Sequence, residues 1–320
     1  FTGTLNLDTT ENYVDIRGAN TSAKLVTSGS TSGQYVRLWG NSTFSELSGT
    51  GGSIAGTNKT LTINQSTNTT YAGRLLDVNG NNKLSLTKDG TGSLTLSAAN
   101  TYSGGTTLNS GKLTIANNNA LGTGTLTLND GTLSSAAGAD YNLSVNIVVN
   151  GTAAVITESN TNQTELQLTG DITGSGTLNF GGTGSGQGSR AVQVRDDLDG
   201  FDGIINYDNV DGGNTVLFYG VNTTAALELS GITGGSGYVG LQSGNATFGK
   251  LSGTGGKIQG WNRTLTINQD TDTTYAGIMV DAGAQKLSFS KAGSGTLTLS
   301  GANSYKGTTT VNNGTLIIDG

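Results

Sequence analysis

Cysteine, proline and histidine are all absent from the 320 residues, and methionine occurs once. Without cysteine there are no disulfides and no thiolate metal sites. Without histidine as well, the Ser–His and Cys–His nucleophile systems are excluded. Without proline, and with no Gly-X-Y period, the 53 glycines do not make a collagen. Charge is scarce: 12% of residues carry it, with a net of −6. That acidic balance, with scattered lysine and arginine, argues against nucleic-acid binding. No run approaches the ~18 apolar residues of a membrane-spanning helix, so no membrane insertion is expected. Low charge with regularly placed aliphatic residues also argues against disorder, which couples low hydrophobicity to high net charge. The lack of cysteine suits a secreted protein. The chain opens at Phe1 inside a strand-like pattern, without an initiator methionine or a signal peptide, so it is expected to be a mature or excised piece of something longer.

What fills the chain is glycine, threonine, serine and asparagine around short aliphatic runs, and it repeats. Lys88–Leu113 (KDGTGSLTLSAANTYSGGTTLNSGKL) returns, slightly altered, at Lys291–Leu316 (KAGSGTLTLSGANSYKGTTTVNNGTL). Gly40–Gly52 matches Gly244–Gly256, Thr60–Gln65 matches Thr264–Gln269, and Thr69–Gly73 matches Thr273–Gly277. The offset drifts only slightly, so insertions are few and belong in loops. Residues 201–320 therefore repeat 1–117, giving a long module (1–200) and a short one (201–320) of one continuous structure.

Within each module, apolar residues such as Leu5/Leu7, Val36/Leu38, Leu61/Ile63, Leu84/Leu86 and Leu94/Leu96 alternate with polar ones. They are separated by Gly/Asn/Ser/Thr clusters. Period-two alternation buries one face of a strand, and the clusters are turn chemistry. No stretch has helical periodicity, and glycine and threonine would penalise a helix throughout. The chain reads as all-β. Strings of β-sandwiches have similarly short strands, but no sandwich landmark is present, and one or two aliphatic residues per strand suit a narrow stacked core. A parallel β-helix (β-solenoid), an elongated rod of about 16 coils at roughly 20 residues each, is expected.

Residues 70–133, from TYAG through KDGTGSLTLSAANTYSGGTTL to ALGTGTLTLNDGTL, resemble the autotransporter-associated β-strand repeat, or passenger-associated transport repeat, of bacterial surface proteins. The second copy stops before the ALGTG portion. The resemblance implies a right-handed parallel β-helix, display at the cell surface or secretion, and roles in adhesion, aggregation or scaffolding. It implies no catalytic residues.

The single acidic cluster is Asp196, Asp197, Asp199, Asp202, Asp208 and Asp211, beside Arg195. Its plain reading is a solvated corner. Asp197, Asp199 and Asp202, with glycines at 200 and 203, are the candidate Ca2+ ligands, and paired carboxylates could serve glycoside hydrolysis. Tyr71 and Tyr275, and Tyr102 and Tyr305, occupy equivalent places and are expected to cap the core half-buried rather than stack on sugars. Trp39 and Trp261 do not match and are candidates for exposed contacts. The sequons at Asn58 and Asn68 read as turn chemistry or amide ladders.

The ends carry a further pattern. Ile317, Ile318, Asp319 and Gly320 followed by Phe1, Thr2 and Gly3 would recreate the internal junction D-L-D-G-F-D-G at 197–203. That points to a tandem array, or to head-to-tail self-association. The expectation is thus a non-enzymatic extracellular structural protein without cofactors, a segment of a surface fibre or filament. The alternative is a carbohydrate- or cell-binding adhesin with glycan partners.

Overall fold

A computed structural model of the chain describes residues 2–8, 13–29, 35–158, 165–180, 190–209, 213–231 and 235–320. Among these, no helix occurs; the regular elements are 36 short strands whose ladders run parallel. The chain is a stacked β-solenoid of about 13 turns rather than 16. The expected coil length was too short: register partners lie as far apart as Thr177 and Ile204, with Val36 and Ile54 the tightest step. The chain forms two compact units, Phe1–Ala136 with Leu143–Ala153, and Ala137–Asn142 with Ala154–Gly320.

In the first unit the chain visits three faces in turn. The first face stacks Thr4–Asp8, Lys24–Ser28, Glu46–Gly49, Thr69–Tyr71, Ser93–Leu96 and Lys112–Ile115. The second stacks Val14–Ile16, Val36–Leu38, Ser53–Gly56 and Arg74–Asp77. The third stacks Ser42–Phe44, Lys59–Asn64, Leu84–Asp89 and Thr106–Leu108. Alternation explains the short strands: inward residues pack on the same position of the next coil, and outward threonines face water. Leu5, Leu25 and Leu47 form one such column, with Leu25 and Leu47 wholly buried. Each buried leucine contributes roughly 1.5–3 kcal/mol, so a core one or two residues wide is enough when every coil repeats it.

Three polar devices tie coils together. Asp89 Oδ1 accepts from Asn109 Nδ2, Asn109 Oδ1 from Asn129 Nδ2, and Asn129 Oδ1 from Asn150 Nδ2, an outward amide ladder over four coils. Gln65, wholly buried, faces Ser93 O (2.6 Å), Thr67 O (3.0 Å) and Thr69 Oγ1 (3.1 Å) with its amide nitrogen. Its Oε1 accepts from Leu47 N at 3.4 Å. Lys88 is also wholly buried, its ammonium donating to Asp89 O, Gly90 O and Ser110 O. Burial pushes its pKa down to about 8, with Asp89 opposing.

The second unit uses the same devices. Thr177–Phe180, Ile204–Asn209, Ala226–Gly231, Lys250–Gly253, Thr273–Tyr275, Thr296–Leu299 and Thr315–Ile318 stack on one face. Glu165–Leu168 to Ile278–Asp281 stack on another. Ala246–Phe248, Arg263–Asn268, Leu287–Ala292 and Thr309–Val311 stack on the third. Gln269 repeats four bonds of Gln65, to Thr271 O, Thr273 Oγ1, Thr296 O and Leu251 N. Lys291 repeats Lys88 at Ala292 O and Gly293 O. The sequence repeat is therefore a repeat of hydrogen bonds as well as of hydrophobic positions.

Candidate functional site

The tyrosines at equivalent places are core, not platforms. Tyr71, Tyr275 and Tyr102 are wholly buried, further in than the half-buried caps expected. Tyr102 Oη meets Thr106 Oγ1 at 2.5 Å. Burial pushes all three phenols well above their ordinary pKa. Tyr305 makes the same contact with Thr309, at 2.8 Å, and is half-buried, as expected.

Exposed aromatic surface gathers instead on the second face of the first unit. Tyr13 and Trp39 are 47% and 49% exposed. Tyr13 meets Tyr35 edge-on, with ring centroids 4.8 Å apart. The Arg37 guanidinium lies 4.7 Å from the Tyr13 ring and 5.7 Å from the Trp39 ring. Arg37 is held by Asp15 through two bonds, Nε to Oδ1 at 2.6 Å and Nη2 to Oδ2 at 3.0 Å. That bidentate pair keeps the Asp15 carboxyl below its usual range. Only Trp39 was singled out from the sequence. The rest was readable: Y-V-D-I-R at 13–17 and Y-V-R-L-W at 35–39 alternate aliphatic with aromatic or charged residues. Such alternation puts Tyr, Asp, Arg and Trp outward, and pairing of Val14 with Val36 aligns the two segments.

The second unit carries a related cluster. Tyr238 and Trp261 have centroids 5.6 Å apart, with Lys257 Nζ 5.6 Å from the Tyr238 ring. Between them lies Gly240, where an added Cβ would sit 2.8 Å from Trp261 Cζ3 and 2.9 Å from Tyr238 Cε2. Glycine is what lets both rings lie over the backbone. Trp39 follows Val36–Leu38, whereas Trp261 follows Lys257–Gly260, the equivalent of Ser53–Gly56 one coil further on. Each tryptophan thus stands in the equivalent column of its own unit, on coils one step apart in the repeat. Arg195 adds a third pair, 4.3 Å from the Tyr219 ring.

The acidic cluster is spread out. Asp196 Oδ2 accepts from Ile172 N, and Asp197 Oδ1 from Asp199 N, while Leu198 holds a left-handed φ of 62°. Two of these carboxylates therefore shape the corner. Asp202 lines a separate groove with Glu228, Lys250 and Asp270, and Asp211 lies outside the described residues. Among the described residues, no three acidic side chains come together in a manner suited to a metal. Of the two sequon asparagines, Asn58 adopts φ 58° and its Oδ1 accepts from Lys83 N. Asn68 Oδ1 accepts from Ser93 N. Both do turn work.

At the ends, Phe1 lies outside the described residues. Gly3 O accepts from Lys24 N, and Asp319 N donates to Leu299 O, both ordinary ladder bonds. Ile317 and Ile318 are 44% and 59% exposed, and Gly320 is exposed beside them.

The comparisons with known proteins agree with this geometry. Over 251 residues the chain is 29% identical to the "Adhesin BmaC autotransporter" of Brucella suis biovar 1 (strain 1330). The match takes in 72% of this chain but spans only 7% of that relative's length. No solved structure matches. A family model, Passenger-associated-transport-repeat, matches residues 86–115 and 289–318. Those segments carry the two buried lysines with their carbonyl cages, so this β-solenoid is similar to the passenger-associated transport repeat over one segment in each compact unit.

Proposed function

We propose that the chain is a non-enzymatic segment of an adhesin-like surface passenger domain, extracellular when mature. In this reading the solenoid is a scaffold whose second face presents ligand-binding side chains. The observation that carries it is the row of exposed Tyr13 and Trp39 with half-buried Tyr35 and Arg37, fixed by the Asp15–Arg37 pair. Flat aromatic surface beside a locked guanidinium is what carbohydrate and protein partners engage. The two transport repeats and the adhesin relative support the same reading. The lack of histidine and cysteine supports a role without catalysis. Substituting Tyr13 and Trp39 by alanine is expected to weaken binding to cells or to arrayed glycans about tenfold, with the urea midpoint unchanged. Undiminished binding by that variant would count against this face.

A second reading is fibre assembly through the ends, which the likeness of Ile317–Gly320 with Phe1–Gly3 to the internal junction at 197–203 supports. Val311 is 49% exposed, and Ile317 and Ile318 are exposed beside it. In the first copy the equivalent positions, Leu108 and Ile115 among them, are covered by Leu126–Ser135. A second copy, offering Gly3 and the strand Thr4–Asp8, or a tandem continuation, would cover them in the same way. Electron microscopy at rising concentration is expected to show end-to-end growth that Ile318→Lys abolishes. Uniform single particles at every concentration would end this reading.

A further inference from the structure

A third-face corner of the second unit holds a groove of about 280 Å³, near the lower edge of small-molecule sites. Three cations line it, Arg263, Lys286 and Lys306, together with the hydroxyls of Thr264, Ser288 and Thr308. In an acidic chain with only 16 lysines and arginines, three on successive coils at one corner is a concentration. Neither the Lys24–Glu46 nor the Arg37–Asp15 ion pair takes in any of the three. Arg263 Nε is buried with no acceptor at all, and its Nη1 reaches only Asn262 O at 3.3 Å. Arg263 thus brings to the groove a guanidinium with no carboxylate beside it, and an oxyanion there would meet that charge. The nearby acid, Asp281, is committed to the N–H groups of Leu287 and Lys306. Backbone bonds of the corner, Lys286 N to Asn262 Oδ1 and Thr308 N to Ser288 Oγ, fix the lining in place.

We propose that this groove binds the sulfate or phosphate ester oxyanions of an anionic polysaccharide. The inference rests on the adhesin-like reading above and names one ligand class for it. Stacked coils place successive cations at steps of about 4.8 Å along the axis, which suits a chain of repeating charge rather than one ion. The hydroxyl and amide lining suits sugar hydroxyls. No aromatic side chain lines the groove, so single-stranded nucleic acid would lack a stacking platform. The first unit has two cations at the equivalent positions, Lys59 and Lys83, but Ser103 where the second has Lys306. Ser103 is moreover bonded to Asp77. The first unit therefore serves as a weaker internal comparator.

Binding of the full chain to immobilised heparin, at low and physiological salt, tests this. Wild type is expected to bind and to weaken as salt rises. The triple variant Arg263→Gln, Lys286→Gln, Lys306→Gln is expected to lose at least about tenfold, and Lys59→Gln, Lys83→Gln less than threefold. Since Arg263 is partly buried, Lys286→Glu alone, at an exposed position, is the second variant and should lose at least threefold. Unchanged urea midpoints keep a folding defect from imitating the result. Retained binding by both groove variants overturns the proposal, as does equal binding to desulfated heparin. Complete displacement by inorganic sulfate at matched charge overturns the polysaccharide assignment and leaves an adventitious ion only. An oligonucleotide bound as tightly as heparin overturns the class. If cells are still bound through Tyr13 and Trp39 while heparin is ignored, this inference fails and the adhesin-like reading stands. If nothing is bound at any face, that reading fails with it.

Discussion

Tyr71→Ala is expected to lower the stability of the first unit by about 3–5 kcal/mol, the usual cost of emptying an aromatic site in a packed core. The reason lies in a column of the first face. Register places Thr27, Gly49, Tyr71 and Leu96 in line across successive coils. Gly49, beside it in the column, admits no side chain: a Cβ there would lie 2.1 Å from Thr27 O, and Gly49 has a φ of 148°. The ring then folds back over Gly73, where an added Cβ would meet Tyr71 Oη and Gly51 O, each at 2.5 Å. The motif T-T-Y-A-G is therefore one steric unit, a large ring with a glycine two residues on. It recurs around Tyr275, with Gly253 beside it and Gly277 under the ring. Tyr71→Phe should cost less than about 1 kcal/mol, because Oη lies 3.4 Å from Thr27 Oγ1. Gly73→Val should destabilise by more than the 1–3 kcal/mol typical of overpacking, since the obstruction includes backbone. Urea titration followed by fluorescence reads each unit separately once the other tryptophan is replaced, with Trp261→Phe leaving Trp39 to report the first unit and Trp39→Phe leaving Trp261 to report the second. A Tyr71→Ala loss under about 1 kcal/mol would show that the coils close around the void and that this column does not hold them.

That column also shows what the sequence could and could not reveal. Alternation and repetition made the strands, the parallel stacking and the inward leucines legible, because each coil reuses the same local chemistry. Coil length was not legible. Corners absorb extra residues without disturbing the ladders, so the steps vary and about 13 turns replace 16. Burial of the tyrosines was misjudged for a related reason. Tyr71 looks like a corner residue until register sets it against Gly49. The exposed site was half legible. Trp39 stood out as unmatched, whereas Arg37, Tyr13 and Tyr35 became a cluster only once Val14 was paired with Val36. Neighbours in sequence, Asp197 and Asp202, are parted by a corner at Leu198–Gly200, and the Asp197 carboxylate is spent on the backbone there.

The buried polar residues bear on stability as much as the aromatic ones, and Gln65→Leu makes the strongest case. Leucine nearly fills the volume of glutamine, so no cavity forms and the loss is of hydrogen bonds alone. Thr69 takes the place of leucine in the column between Leu47 and Leu94, and its hydroxyl donates to Leu47 O at 2.6 Å. Gln65 completes the arrangement by serving Leu47 N, Thr67 O and Ser93 O, groups drawn from three successive coils. With leucine there, Leu47 N and Ser93 O stay dry and lose this partner, each costing about 1–3 kcal/mol. A destabilisation of about 3 kcal/mol or more is expected for the first unit, seen as a lower urea midpoint in the Trp39 signal with the Trp261 transition unmoved. Gln269→Leu should do the reverse. Gln65→Glu is the sharper control, because it keeps the acceptor for Leu47 N but replaces the donor facing Ser93 O and Thr67 O with a buried charge. It should destabilise at least as much at neutral pH and recover partly under acid, where the protonated carboxyl regains one donor. If Gln65→Leu leaves the midpoint in place, the three coils do not depend on this side chain, and their cohesion has to be sought in the ladders and aliphatic columns alone.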